Sequence, residues 1–245
     1  SASLPRFYSV DGNLYASQLV ASRTHGRLRP RLQIKKQKQF SFLLYNDQGY
    51  YWKRRSRRCY SDVDESTDSG KRILVLGLNE AGKSSFLLRL SRPDAALTSL
   101  QPTEGFNVVC INSENGSSLN FWELGGSETV RSYWPNFLHD TNVLVYVVDS
   151  ADTKRLRCAA HEFQRVLQDE RLQKVPILVL ANKQDLPGAE SVEEIATILG
   201  LEELRRRSFR VHILPLQMPS DTNHKSSVAE AKHMIIRLSH EHASV

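Results

Sequence analysis

The sequence predicts a three-layer α/β domain with a mostly parallel sheet, and three observations support this fold class. Short, continuous apolar runs, typical of strands buried on both faces, recur at residues 73–76, 143–149 and 177–180. Stretches with apolar residues at helical spacing separate these runs. A glycine-rich loop joins the first run to the first helix. Strands that alternate with helices form parallel sheets through right-handed crossovers, and ligands bind at the carboxyl ends of such strands.

The glycine-rich loop at residues 77–84 reads Gly-Leu-Asn-Glu-Ala-Gly-Lys-Ser and fits the pattern G-x-x-x-x-G-K-[ST]. Loops of this kind surround a nucleotide's β-phosphate with backbone N–H groups, the lysine reaches β- and γ-phosphate oxygens, and the last hydroxyl can bind Mg²⁺. A helix that starts near Lys83 adds the positive end of its dipole. A surface turn could match by chance, so the context must confirm the motif. The predicted phosphate-binding residues are Gly77, Asn79, Glu80, Ala81, Gly82, Lys83, Ser84 and Ser85.

The other elements follow in chain order. Residues 107–111 and 119–124 predict two strands, and the Asn-Gly pair between them is typical of a hairpin. Residues 154–169 predict a helix with one apolar face, 210–214 predict the final strand, and 228–238 predict the closing helix.

A second motif, Asn182-Lys183-Gln184-Asp185, directly follows the strand at 177–180. The Asp185 carboxylate can accept hydrogen bonds from the ring N–H and the amino group of guanine, whereas adenine offers neither donor in that arrangement. Losing such hydrogen bonds costs a competing base roughly 10⁴-fold. Asn182 would hold the surrounding loops, and the Lys183 stem would lie along the base. Alone the motif is a common surface turn, but after a phosphate loop and a buried strand it indicates guanine.

Composition describes a globular domain with a basic extension. The chain has 245 residues, of which 40% are apolar and 24% charged. Three cysteines far apart in the sequence favour reduced thiols over a disulfide framework, so we expect a cytoplasmic protein. Residues 1–60 contain thirteen Lys and Arg against two Asp, a net charge of +11, and the rest of the chain therefore carries −5 of the total +6.

Residues 1–60 combine basic clusters with aromatic residues, and we expect them to be largely disordered. Aromatic residues beside the basic run at 53–58 suit a peripheral contact with an anionic membrane surface. The same run fits a nuclear-import or nucleic-acid patch, and also a merely solvated tail. Residues 61–70 form an acidic linker, which places the domain at 71–245. Because the chain begins with Ser1, a preceding leader or lipidated residue stays open.

These motifs together resemble the Arf-like small GTPases of the Ras superfamily. The resemblance rests on Gly-Leu-x-x-Ala-Gly-Lys-Ser, Pro-Thr-x-Gly-Phe at 102–106, Gly125-Gly126, Val-Asp-Ser at 148–150 and Ala-Asn-Lys-Gln-Asp-Leu at 181–186. The stretches 123–127 and 131–134 are most similar to the subgroup of ADP-ribosylation factor-like proteins nine and ten. The resemblance implies a P-loop NTPase fold and a role in membrane trafficking. It also implies that Thr103 closes over Mg²⁺ and the γ-phosphate, that Gly126 donates its N–H to that phosphate, and that the hairpin shifts between GDP and GTP states.

The sequence departs from the family pattern at several positions. Ser127 stands where most members have a glutamine that orients the attacking water, so we expect slow hydrolysis and assign no catalytic residue. Glu123 stands where an aspartate usually holds the metal's water shell, and the extra methylene either displaces that shell or is accommodated by the backbone. Glu80 is compatible with phosphate only if its carboxylate points into water. After the final strand two prolines stiffen the loop, and we place a backbone contact to guanine near Leu216 or Gln217.

The predicted function is a guanine-nucleotide switch that binds GTP or GDP with Mg²⁺, with Ser84 and Thr103 as metal ligands. The expected partners of this monomer are effectors and an exchange factor. The main alternative is a catalytically inactive GTP-binding scaffold, which the departures at Ser127 and Glu123 favour. A nucleic-acid-binding module is disfavoured because the basic residues are confined to the extension while the domain is acidic.

Overall fold

The computed structural model describes residues 70–93, 97, 100–112, 118–218 and 226–241, and the backbone of four strands before residue 54. Those strands pair antiparallel in the order β2-β1-β3-β4. They are β1 (Arg6–Val10), β2 (Asn13–Ser17), β3 (Phe40–Asn46) and β4 (Gly49–Lys53). The basic run at 54–58 lies outside the described residues. The expectations of a largely disordered extension and of a membrane contact therefore stay predictions.

A six-stranded sheet forms the centre of the domain, in the order β10-β9-β8-β5-β7-β6. Every neighbouring pair is parallel except β6 and β7, which pair antiparallel from Phe106 opposite Leu124 to Asn112 opposite Ser118. The turn residues of that hairpin lie outside the described part. The strands are β5 (Lys71–Leu76), β6 (Phe106–Asn112), β7 (Ser118–Leu124), β8 (Val143–Asp149), β9 (Ile177–Asn182) and β10 (Val211–Pro215).

Helices cover both faces of this sheet. On one face α1 packs beside α6, with Phe86, Leu87 and Ile235 buried against the strands. On the other face α3, α4 and α5 enclose a second apolar cluster that includes Phe163 and the fully buried Trp134. The helices are α1 (Lys83–Ser91), α2 (Glu128–Arg131), α3 (Leu156–Val166), α4 (Val192–Leu199), α5 (Leu201–Arg206) and α6 (Ser226–Glu241).

The three-layer α/β fold with a mostly parallel sheet is confirmed. Two details differ from the sequence predictions. The helix predicted at 154–169 begins at Leu156 and ends at Val166, and a separate 3₁₀ turn follows at Glu170–Leu172 because the Asp169 side chain accepts a hydrogen bond from the Arg171 N–H and starts a new turn. Helices α4 and α5 were not predicted, since each is shorter than three turns. No helix among the described residues is long and apolar enough to cross a membrane.

Candidate functional site

The phosphate loop connects β5 to α1 in the geometry that its glycines require. Gly77 has φ 142°, and a Cβ there would lie 2.2 Å from the Val147 carbonyl oxygen on β8. Gly82 has φ 93°, and a Cβ there would lie 2.2 Å from Nδ2 of Asn182. Both positions therefore exclude any side chain, and the first glycine lets β8 approach the loop closely.

The acidic side chain of the loop is exposed and pairs with an arginine. Glu80 has φ 66°, a left-handed conformation that is uncommon for a residue with a Cβ. Its side chain is 70% exposed, and Oε2 lies 3.1 Å from Nη2 of Arg155, just before α3. Arg155 also donates to Oδ1 of Asn79 at 3.2 Å and forms an ion pair with Asp152. Sequence reasoning missed Arg155, which lies more than 70 residues from the loop that it braces.

Lys83 is buried at the first position of α1. Its Nζ donates to the carbonyl oxygens of Gly77 at 2.9 Å and Leu78 at 2.8 Å, which holds the ammonium inside the loop. Burial lowers the pKa of Lys83 to about 8, although the Glu123 carboxylate opposes this shift. A nucleotide's phosphates would supply the negative charge that stabilises the ammonium at this position.

Three oxygen-bearing side chains meet beside Lys83. The Ser84 hydroxyl lies 3.2 Å from the Thr103 hydroxyl and donates to the Glu123 carboxylate. Thr103 donates to the same carboxylate oxygen at 3.3 Å, and Asn107 donates to the other oxygen, also at 3.3 Å. Hydroxyl and carboxylate oxygens are the hard donors that Mg²⁺ prefers, so the predicted ligands Ser84 and Thr103 fit this cation. Glu123 belongs to the same cluster, although it was not among the predicted ligands.

The segment after β7 packs directly on the phosphate loop. A Cβ on Gly126 would lie 2.2 Å from the backbone nitrogen of Asn79, so only glycine fits there. Arg131 is buried, donates to the Gly126 carbonyl at 2.9 Å, and lies 3.2 Å from Glu162 on α3. Ser127, which precedes α2, is half-buried with its hydroxyl 3.2 Å from that of Thr129. Position 127 thus directly follows the glycine that packs on the phosphate loop, but the Ser127 hydroxyl interacts with its neighbour Thr129.

The second motif lies at the carboxyl end of β9. Asn182 is 1% exposed, and its Nδ2 donates to the Ala81 carbonyl at 2.8 Å. Its Oδ1 is buried without a hydrogen-bond partner among the described residues. Lys183 has φ 66° and forms a 2.6 Å ion pair with Asp149, at the end of the neighbouring β8. Asp185 is exposed at the mouth of this region, where a base can reach it.

The final loop distinguishes the two candidate positions for a backbone contact with guanine. The Leu216 N–H donates to the Ala181 carbonyl at 2.8 Å, and the Leu216 side chain is fully buried. This N–H is therefore already used, which makes Leu216 a poor donor to a base. The Gln217 N–H donates to the Ser227 hydroxyl at 3.4 Å and has no other hydrogen-bond partner in the described part of the chain, so Gln217 is the position that stays a candidate.

A cleft of about 890 Å³ opens over the phosphate loop and the predicted metal ligands Ser84 and Thr103. Its walls are the phosphate loop, the segment 100–104 that carries Thr103, and the segment from Gly126 to Tyr133. Residues 182–185 do not line this cleft, and Asn182 lies next to Gly82 of the phosphate loop. The two motifs therefore lie in two adjoining regions, the predicted phosphate and cation region and the predicted base region.

Fold and site together define a small P-loop protein that binds guanine nucleotides. The model of the ADP-ribosylation factor family matches residues 60–229, and the chain belongs to this family. ADP-ribosylation factor-like protein 3 of Chlamydomonas reinhardtii is 46% identical over 140 residues, which cover 57% of this chain and 77% of that protein. ADP-ribosylation factor-like protein 2 of Drosophila melanogaster is 48% identical over 133 residues, which cover 54% and 71%.

A solved structure shows the same fold. The Arl6 BBS3 small GTPase from Trypanosoma brucei, solved with the nucleotide analogue GppNp, superposes with a TM-score of 0.61 at 22% identity, over 71% of this chain and 99% of that one. The predicted resemblance to the Arf-like family is thus confirmed, and the finer resemblance to members nine and ten stays a prediction.

We expect Asp185→Asn to change base selectivity from guanine to xanthine, because an amide donates where the carboxylate accepts. Competition against labelled GDP should show at least about 100-fold weaker binding of GDP and a gain for xanthosine diphosphate. Asp140→Asn, the same change at an exposed turn, should bind like the unaltered protein. Equal displacement of labelled GDP by ADP in the unaltered protein would contradict the assignment of guanine.

We expect GDP binding above pH 8 to take up a proton at Lys83. The free protein holds this group with a pKa of about 8, so it loses charge as the pH rises, whereas bound phosphate restores the charge by raising the pKa. GDP affinity should fall about tenfold between pH 7 and pH 9. Calorimetry in buffers of different ionisation enthalpy should detect uptake at pH 9 and little at pH 7. Residual binding by Lys83→Arg, which stays charged, should take up no proton; pH-independent affinity of the unaltered protein would refute the assignment.

Proposed function

We propose that this protein is a guanine-nucleotide switch that binds GTP or GDP with Mg²⁺, signals to effectors and hydrolyses GTP slowly. The observation that carries the proposal is the approach of two separate segments to one phosphate loop. Thr103 lies 3.2 Å from Ser84, and Gly126 packs on the backbone of Asn79. A γ-phosphate bound between these segments would order both of them, and its loss would release both.

The effector surface follows from this arrangement. The segment that carries Thr103 leads into β6, and the segment that carries Gly126 follows β7, so the β6–β7 hairpin lies between the two nucleotide-sensitive segments. A partner that contacts the hairpin and its flanks can therefore distinguish GTP from GDP. Because buried Lys83 and the cation would hold the phosphates, we also expect an exchange factor to be needed for release. Membrane trafficking and a peripheral membrane location belong to the same proposal.

Slow hydrolysis follows from position 127. The hydrolytic step depends on positioning a water and stabilising charge, since the loose transition state leaves the protein little covalent work. The Ser127 side chain is too short to orient a water at the γ-phosphate, and its hydroxyl lies beside Thr129. Arg131, the buried cation of the same segment, is engaged by the Gly126 carbonyl and Glu162. Nucleotide should therefore be held well and cleaved slowly.

A GTP-binding scaffold without useful catalysis is the second candidate, and Glu123 favours it. Its carboxylate accepts directly from the Ser84 hydroxyl, which the switch mechanism requires on the cation. If Ser84 keeps this hydrogen bond when nucleotide is bound, its hydroxyl is not free to bind the cation. The phosphoryl group would then lack part of the charge stabilisation that the cation supplies. The two candidates differ in whether restoring a water-orienting side chain restores hydrolysis.

Ser127→Gln should accelerate hydrolysis of bound GTP in a single-turnover assay by up to about 100-fold, which corresponds to about 2.7 kcal/mol of barrier. Phosphate release and nucleotide retention should be followed together, because the substitution should leave retention unchanged. Ser91→Gln, the same change at the exposed end of α1, should have no effect. Normal retention with no acceleration in Ser127→Gln would support the scaffold.

A further inference from the structure

The Glu123 carboxylate accepts hydrogen bonds from polar side chains in three separate parts of the domain. Glu123 is the second-last residue of β7 and lies opposite Asn107 on the antiparallel β6 and Val75 on the parallel β5. From there it reaches the Ser84 hydroxyl on α1, the Thr103 hydroxyl and the Asn107 amide. One carboxylate thus connects the start of α1, the loop before β6 and β6 itself.

The charge of this carboxylate is not compensated by a direct ion pair. Glu123 is 0% exposed, and its three hydrogen-bond donors are neutral. Among the described residues no lysine or arginine is within salt-bridge distance of it, and the nearby Lys83 ammonium is bound to the carbonyls of its own loop. A buried carboxylate is costly unless it is paired with a cation or binds a metal. Beside both predicted metal ligands there is therefore a buried carboxylate without a direct ion-pair partner among the described residues, although Lys83 interacts with it electrostatically at longer range.

Two of the three oxygen separations are close to those in the coordination sphere of a small cation. Magnesium binds oxygen at 2.0–2.1 Å in octahedral geometry, so neighbouring ligand oxygens lie about 3.0 Å apart. The Ser84 and Thr103 hydroxyl oxygens are 3.2 Å apart, and Thr103 lies 3.3 Å from the Glu123 oxygen that Ser84 also contacts. The two separations that involve Thr103 therefore suit neighbouring ligands of one ion, whereas the Ser84 and Glu123 oxygens share a direct hydrogen bond and would have to move apart to bind the ion together.

We propose that Glu123 binds the divalent cation directly, as a third protein ligand beside Ser84 and Thr103, and replaces one metal-bound water. The inference rests on the proposed Mg²⁺-dependent nucleotide binding. The resemblance to the Arf-like family implies an aspartate acting through the metal's water shell, and the glutamate here is one methylene longer. Neither Ser84 nor Glu123 depends on the γ-phosphate for its position. We therefore expect the GDP form of this protein to hold the cation more tightly than the GDP form of a variant with aspartate at position 123.

The number of metal-bound waters tests this inference directly. The full chain is loaded with GDP and with Mn²⁺, a paramagnetic ion with similar oxygen preference, and the waters on the ion are counted from line broadening of its electron paramagnetic resonance spectrum in water enriched in oxygen-17. We expect Glu123→Asp to carry one more water than the unaltered protein and to bind Mn²⁺ about 10-fold more weakly. Glu128→Asp, the same change on exposed α2, should match the unaltered protein.

A second substitution separates ligation from hydrogen bonding. In Glu123→Gln the amide oxygen can still accept from the Ser84 and Thr103 hydroxyls, but the negative charge is lost. We expect Mn²⁺ affinity to fall by about 10-fold or more while GDP stoichiometry and thermal stability show that the protein is folded. Mn²⁺ affinity equal to that of the unaltered protein would overturn the proposal in favour of a simple hydrogen-bond bridge.

Two further outcomes distinguish a failure of this inference from a failure of the proposed function. Equal water counts in the unaltered protein and Glu123→Asp, with Mn²⁺ bound to both, would show that the longer side chain does not replace a metal-bound water and would overturn the inference while leaving the metal site intact. GDP retained by every variant with no Mn²⁺ bound would overturn both the inference and the metal dependence of the proposed function.

Discussion

The hydrogen bond from the Asn182 amide to the Ala81 carbonyl, 2.8 Å long and fully buried, is the constraint on which the site depends. It joins the loop after β9 to the loop after β5, although the two residues are 101 positions apart in the chain. The parallel sheet makes this contact possible because the carboxyl ends of both strands open at one edge. Gly82 completes it, since any Cβ there would collide with the same amide. The phosphate and base halves of the site are thereby held in a fixed relation.

The departures from the family pattern have structural compensation. The acidic Glu80 is kept out of the phosphate region by its own left-handed backbone and by Arg155, which also holds Asn79. The exposed ion pair between Glu80 and Arg155 contributes little to stability, so its main effect is to orient the Glu80 side chain. Glu123 has the opposite environment, because its buried charge lies where a cation would be bound. One acidic residue is thus exposed and paired with Arg155, and the other is buried beside the predicted metal ligands.

Local patterns in the sequence were sufficient to predict the sheet and both binding motifs. The apolar runs at 143–149 and 177–180 became central strands because residues buried on both faces have no polar alternation. Helix α4 was missed although Ser191 caps it by accepting from the Glu194 N–H, a serine–glutamate spacing that marks a helix start. The role of Arg155, the use of the Leu216 N–H and the direct hydrogen bond between Ser84 and Glu123 could not be predicted, because each depends on contacts between segments distant in sequence.

Identifying the nucleotide that the protein retains through purification is the most direct test of guanine-nucleotide binding. The full chain should be purified in buffer containing Mg²⁺ but no added nucleotide, denatured, and the released nucleotide identified by chromatography. We expect GDP or GTP at about one molecule per chain, because a buried lysine and a cation would hold the phosphates and Asp185 would select the base. An adenine nucleotide at comparable occupancy, or a folded chain that carries no nucleotide and does not bind added GDP, would contradict it.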